Sequence, residues 1–159
     1  MCSACFNGCE ILIIYEDTRQ QHRYSEYEIF KPYNIERICL KTADYTTNAP
    51  SALLIEVKGI WNMDIIHCFG REKTRFLKEV ERGFDVLILE GSKSDIAKAL
   101  KKRKSRMTPQ YIIACLESLH VRHGVAVIFA GSKENAAQIL HDLLVVDYKL
   151  KMIDAEASN

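Results

Sequence analysis

Apolar positions along this chain recur at two spacings, and the switches between them mark out the elements. Residues 11–15, Ile-Leu-Ile-Ile-Tyr, are a short β-rich run that ends in the polar cluster Glu16, Asp17, Thr18 and Arg19; this is the pattern of a buried strand entering a loop. Residues 35–40 form a second candidate strand, followed by Asp44 and then by Thr46, Thr47, Asn48 and Pro50, which predict a polar turn. The chain reverses there. Residues 52–58 predict a third strand with Leu53, Ile55 and Val57 on one face and Leu54, Glu56 and Lys58 on the other.

The period then lengthens. Over residues 62–82, Ile65, Phe69, Phe76, Leu77 and Val80 recur at helical intervals, with Arg71, Arg75 and Lys78 on other faces and Gly83 as the stop. Two similar units follow. Residues 85–90 predict a strand leading through Gly91-Ser92-Lys93 into a helix, and residues 125–129 a strand leading through Gly131-Ser132-Lys133 into another. Ser92 and Ser132 fit N-caps better than phosphate sites, because neither turn completes a Gly-rich phosphate loop. Between these units Thr108-Pro109 opens a further helix whose buried stripe is Ile112, Ile113, Leu116 and Leu119. Strand, tight turn, helix is the grammar of an α/β domain. It is expected over residues 11–150, preceded by a cysteine-rich segment, 1–10, and followed by a frayed tail, 151–159.

Composition narrows the function classes. With 159 residues, 48% hydrophobic and 27% charged, the chain suits one globular domain rather than a disordered segment. No apolar run approaches the ~20 residues of a membrane span, and residues 1–10 lack the basic-then-apolar pattern of a secretory signal. A reduced, cytoplasmic protein is therefore expected. Lys plus Arg total 22 against 21 for Asp plus Glu, so the whole chain offers no steering toward a polyanion. Locally the balance differs: Lys98, Lys101, Lys102, Arg103, Lys104 and Arg106 follow one another with no acid between them. Such a run is either a solvated helix end or a phosphate-binding surface. Cys2, Cys5 and Cys9 include one C-x-x-C pair, which could hold Zn²⁺ with a fourth ligand from Cys39 or His22, or could belong to a frayed terminus.

The residues that carry chemistry are Asp44 and, twelve positions on, Glu56-Val57-Lys58. Charged groups on an apolar strand are costly to bury unless paired or bound to a metal. Two carboxylates offer hard oxygen ligands to Mg²⁺, and a neighbouring ammonium can orient water and offset charge on a phosphate. A salt bridge on an exposed strand face is the alternative reading.

This spacing of D…E-x-K after a reversing strand resembles the PD-(D/E)xK nuclease superfamily, and the wider sequence resembles its XPF-type branch of structure-specific endonucleases. Asp17-Thr18-Arg19-Gln20 resembles that branch's D-x-R-E, Ala43-Asp44-Tyr45 its G-D-Y, and Glu56-Val57-Lys58 with Asp64 its E-R-K-x-x-x-D. Gly70-Arg71-Glu72, Leu89-Glu90-Gly91 and Phe129-Ala130-Gly131-Ser132 are similar to words found in compact phage and bacterial relatives, so the likeness runs in order through residues 11–148. It implies a restriction-endonuclease-like fold, a central mixed sheet flanked by helices. It further implies a Mg²⁺- or Mn²⁺-dependent endonuclease that cuts branched or flap DNA. Asp44, Glu56, the main-chain carbonyl of Val57 and Asp17 would serve the metal, and Lys58 the attacking water. Arg19, Arg71 and Arg75, with Lys101, Lys102, Arg103 and Lys104, would meet DNA. The compact form lacks a helix-hairpin-helix domain, so grip on DNA is expected from the nuclease domain, a homodimer or a partner protein. Two rivals stand beside this reading: an inactive DNA-binding scaffold of the same fold, and a zinc-dependent interaction module.

Overall fold

The structure is a computed structural model and describes residues 11–158. Its centre is a six-stranded sheet of β1 (Ile13–Asp17), β2 (Asn34–Ile38), β3 (Tyr45–Thr47), β4 (Ile55–Gly59), β5 (Val86–Glu90) and β6 (Ala126–Phe129), in the order β2-β1-β3-β4-β5-β6. The pairs β1/β2, β4/β5 and β5/β6 are parallel, whereas β3 runs antiparallel to both β1 and β4. The sheet is therefore mixed, as expected. Every residue of β5, Val-Leu-Ile-Leu-Glu, is buried, because a parallel central strand is covered on both faces.

The helices are α1 (Asp64–Cys68), α2 (Lys73–Arg82), α3 (Lys93–Lys102), α4 (Pro109–His123) and α5 (Lys133–Ala157). Alternation along the strands sends side chains to two cores. Leu87 and Leu89 meet Ile65 of α1, Phe76 of α2, Ile96 of α3 and Ile112 of α4 on one face. Ile14, Ile55, Val57 and Ile88 meet Leu140 and Leu144 of α5 on the other, together with Tyr24 and Phe30 from two 3-10 turns, Tyr24–Glu26 and Glu28–Phe30. The expected caps form. Ser132 accepts from the Asn135 N–H at 3.1 Å and Thr108 from Tyr111 at 3.2 Å, while at Ser92 the Asp95 carboxylate accepts the cap N–H at 2.9 Å.

Three elements depart from the sequence reading. Thr46 and Thr47 form β3 rather than a turn; both are buried, and their β-branched stems suit a short central strand. Residues 62–82 form two helices rather than one, since the chain bends between Cys68 and Lys73. At that bend a side chain on Gly70 would meet the Met107 methyl at 2.3 Å, so the entry to α4 packs against bare backbone there. Residues 151–157 continue α5 instead of fraying, because Lys-Met-Ile-Asp-Ala-Glu-Ala contains neither Gly nor Pro to stop it. Gly83 does end α2, at φ 91°. Among the described residues, no helix is long and apolar enough to cross a membrane. Cys2, Cys5 and Cys9 lie outside the described residues.

Candidate functional site

The strands part where the carboxylates gather. Tyr45 pairs with Ile55 and with Glu16, and one residue earlier Asp44 stands in the fork between β1 and β4. Its carbonyl accepts the Asp17 N–H at 2.8 Å, and its own N–H donates to the Ile55 carbonyl at 3.0 Å. Its Oδ2 accepts the Val57 N–H at 2.8 Å. Asp44 is thus held by three bonds to the backbone of two strands.

Ile55 and Val57 face α5, so Glu56 and Lys58 face α1 to α4, on the side where the Asp44 carboxylate lies. Lys58 Nζ pairs with Glu56 Oε1 at 2.5 Å, and the two side chains are only 14% and 8% exposed. This is no surface salt bridge. Burial, then the Glu56 carboxylate, push Asp44 up to about 8, against the pull of Lys58 and the Val57 N–H. Burial likewise raises Glu56, with Lys58 pulling the other way. Lys58 stays charged. Burial opposes that charge, but Glu56, Asp44 and Asp64 together hold the ammonium above its usual range. One buried acid and one partly buried acid therefore share a partly buried base.

The Val57 main chain adds an oxygen to the same edge. In an extended strand the N–H and C=O of one residue point to the same edge, so the N–H aimed at Asp44 leaves the Val57 carbonyl on that edge too. Among the described residues no group donates to Asp44 Oδ1. No three His, Cys, Asp or Glu side chains among them converge as a ready cage; the available donors are two carboxylates and a carbonyl.

Asp17 sits beside this group but is fully engaged. Its Oδ1 accepts the Arg19 N–H at 2.7 Å and Nε at 2.8 Å, while Oδ2 accepts Arg19 Nη2 at 2.7 Å and the Leu40 N–H at 2.9 Å. Burial alone would raise its carboxyl, yet these donors hold it below the ordinary range. Arg19 also donates to the Leu40 carbonyl at 2.7 Å, and Asp17 in this way knits the loop after β1 to the end of β2.

The basic residues lie outside the carboxylate fork. Arg71 and Arg75 are exposed and share Glu72, at 3.6 and 2.6 Å. Lys101, Lys102, Arg103 and Lys104 are exposed at the end of α3. Met107 against Gly70, and the Tyr111 hydroxyl donating to the Phe69 carbonyl at 3.4 Å, bring the segment after that run to the corner where Arg71 stands. Glu79, half-buried on α2, is a member the sequence did not suggest; its charge, with that of Asp64, bears on Glu56. Only the packing of α2 against the sheet reveals it, since one acid on a helix carries no spacing signal.

No protein-family model matches the sequence, and no curated protein matches it. Among solved structures, the chain is similar to XPF from Aeropyrum pernix at 15% identity and a TM-score of 0.65, over 84% of this chain and 64% of that one. It is similar to the same protein in complex with DNA at 14% identity and a TM-score of 0.65, over 86% of this chain and 65% of that one. The chain thus spans a little less than two thirds of the length of these neighbours. Six strands in mixed order, with helices on both faces and this likeness across most of the chain, give the protein an XPF-type nuclease fold.

Proposed function

We propose that this protein is a divalent-metal-dependent endonuclease acting on branched or flap DNA. The observation that carries the reading is the partly buried group of Asp44, Glu56 and Lys58 at the fork of the sheet. Two acids against one base ask for a further positive partner once both ionise; in the metal-free protein Asp44, pushed up to about 8, keeps its proton instead. A hard divalent cation fits that demand: Asp44, Glu56 and the Val57 carbonyl are all oxygen donors, and Asp44 Oδ1 has no other donor among the described residues to satisfy it. Mg²⁺ or Mn²⁺ held there by Asp44, Glu56 and the Val57 carbonyl would supply Lewis-acid polarisation of a phosphate oxygen and a more acidic water.

The remaining work belongs to the chain. Lys58, held charged by its acidic neighbours, positions the attacking water and offsets the charge that grows on the phosphate. Asp17 fixes Arg19 and the loop beside Asp44, a positioning role rather than one at the reacting atoms. Arg71, Arg75 and the run Lys101 to Lys104 offer exposed cations to backbone phosphates at a shared corner, and Arg19 adds a 62% exposed side chain nearer the fork. DNA as the polymer is supported by the neighbour solved in complex with it. Val146, Leu150 and Ile153, spaced four and three apart on α5 and 54%, 56% and 61% exposed, leave an apolar stripe open on that helix.

The test is a panel of end-labelled flap, fork, Holliday and linear duplex DNAs incubated with Mg²⁺ or Mn²⁺. Cleavage of a branched substrate that vanishes in Asp44→Asn and Glu56→Gln is expected. Wild-type protein that binds these DNAs and cuts none of them would favour the scaffold reading.

A further inference from the structure

Gly59 pairs with Glu90 at the ends of β4 and β5, and behind this pair, on the α5 face, lies a cleft of about 180 Å³. Trp61, Asn62, Glu90, Ser132 and Lys133 line it with Gly59. The candidate metal site opens on the other face of the same strand end, one residue away at Lys58. Gly59 keeps the wall thin: the Asn62 side chain occupies the space a Cβ would need, 2.3 Å from it.

The cleft has a fixed floor and an aromatic lip. Glu90 is 9% exposed, and its Oε1 accepts the hydroxyl of buried Tyr24. Tyr24 is itself held through its N–H to the Tyr45 hydroxyl at 3.1 Å, and Tyr45 donates to fully buried Glu16 at 3.2 Å. The carboxylate is therefore locked in direction. Its Oε2 accepts no hydrogen bond among the described residues; the nearest cation is Lys133 Nζ at 4.0 Å. A carboxylate oxygen that keeps some contact with solvent thus lines the cleft with an acceptor position open, and Lys133 beside it balances its charge. At the lip Trp61 is 46% exposed. A large aromatic left open beside a concave acceptor suits a flat ligand that stacks and donates.

We infer that this cleft takes one unpaired nucleobase bearing an exocyclic amino group, cytosine, adenine or guanine rather than thymine, from the strand that passes the carboxylate fork. The inference rests on the nuclease reading and adds to it a base preference beside the cut. A carboxylate accepts from the amino group of cytosine, whereas thymine presents an acceptor at that position. The cleft's size suits one base and not a pair, so the base arrives from single-stranded or opened DNA.

Trp61 is the chain's only tryptophan and reports directly on the cleft. Full-length protein without metal is titrated with 12-mers of oligo-dC and oligo-dT, following both tryptophan emission and the anisotropy of labelled strand. Oligo-dC is expected to bind several-fold tighter than oligo-dT and to quench Trp61 saturably. Trp61→Ala should lose about tenfold in affinity, and Trp61→Phe should recover most of it. In Glu90→Gln, the amide keeps the Tyr24 bond and turns a donor to the cleft, so the preference for dC should vanish or reverse. Unchanged emission at saturating oligo-dC would overturn the inference. So would a dC preference that survives Glu90→Gln with an unaltered melting curve, or equal binding by Trp61→Ala and Trp61→Phe. None of these readouts needs cleavage, so an inactive site at Asp44 and Glu56 would leave the result standing, and a failed base preference would leave the nuclease reading intact.

Discussion

The Val57 N–H donates to Asp44 Oδ2 across 2.8 Å, so a residue of β4 aims a carboxylate that stands just ahead of β3. The bond is ordinary, but the place is not. It holds half-buried Asp44 near buried Glu56, and without metal Asp44, pushed up to about 8, keeps its proton there.

Stability of the metal-free protein should therefore fall as pH rises. Burial and Glu56 push Asp44 up to about 8, while in the unfolded chain an aspartate titrates near ~3.9. Between these values the folded state binds more protons than the unfolded state, so stability declines with rising pH and the loss is complete above about 8. Glu56, also raised, contributes with the same sign. Thermal melting in chelator should give a lower Tm at about pH 8 than at about pH 5, and Asp44→Asn should flatten the difference. A Tm that rises across this window would place Asp44 in water.

Removing either partner of the Glu56–Lys58 pair should destabilise, whereas neutralising Asp44 should not. Asp44→Asn relieves repulsion at the fork, so its Tm in chelator should hold or rise, while Glu56→Gln leaves Lys58 without its nearest carboxylate and should lower it; in both, the stabilisation that wild type gains from Mg²⁺ disappears. Lys58→Met leaves Glu56 buried without its partner, and such a loss costs about 3 kcal/mol in denaturant unfolding. Equal stability of all three variants would return the group to an exposed salt bridge.

The parallel strands and their capped helices were legible because their signals are local: β-branched runs, a serine or threonine cap, Gly83 as a stop. The Asp44…Glu56-Val57-Lys58 group was legible too, since alternation alone puts Glu56 and Lys58 on one face. Thr46 and Thr47 misled, because a hydroxyl reads as turn chemistry until β1 supplies the ladder through Tyr15 and Ile14. The break near Gly70 was hidden for a similar reason: it is set by Met107, far along the chain. The resemblance implies Asp17 as an additional carboxylate for the metal, and the tertiary path of Arg19 and Leu40 shows both its oxygens engaged by donors.

Arg19→Ala should test that engagement. It strips both guanidinium donors from Asp17 and leaves a carboxylate 1% exposed with the backbone N–H groups of residue 19 and Leu40 alone. The expected loss is about 2 kcal/mol in denaturant unfolding. Asp17 is held below its ordinary range, so its contribution is present above the unfolded value near ~3.9 and disappears as pH falls through the lower folded value. Acid unfolding of Arg19→Ala should accordingly be shallower on that limb. An unaltered acid limb with full stability would show that the loop after β1 does not depend on this pair.

The basic run gives the last prediction, and it separates a DNA surface from a helix end. Lys101, Lys102 and Lys104 are exposed, so reversing them to glutamate should leave the melting curve near wild type. If each cation neutralises one phosphate, the slope of log affinity against log salt should shrink by about 0.9 for every phosphate left without its lysine, up to about 3 for the triple variant, with binding weakened alike on every sequence. Fluorescence anisotropy on a fork and on an unrelated duplex, over a range of salt, measures both quantities. A slope unchanged in the triple variant would mean that these lysines serve the end of α3, where cations are favourable by the helix dipole, and that DNA follows the Arg19 and Arg71 side of the fork instead.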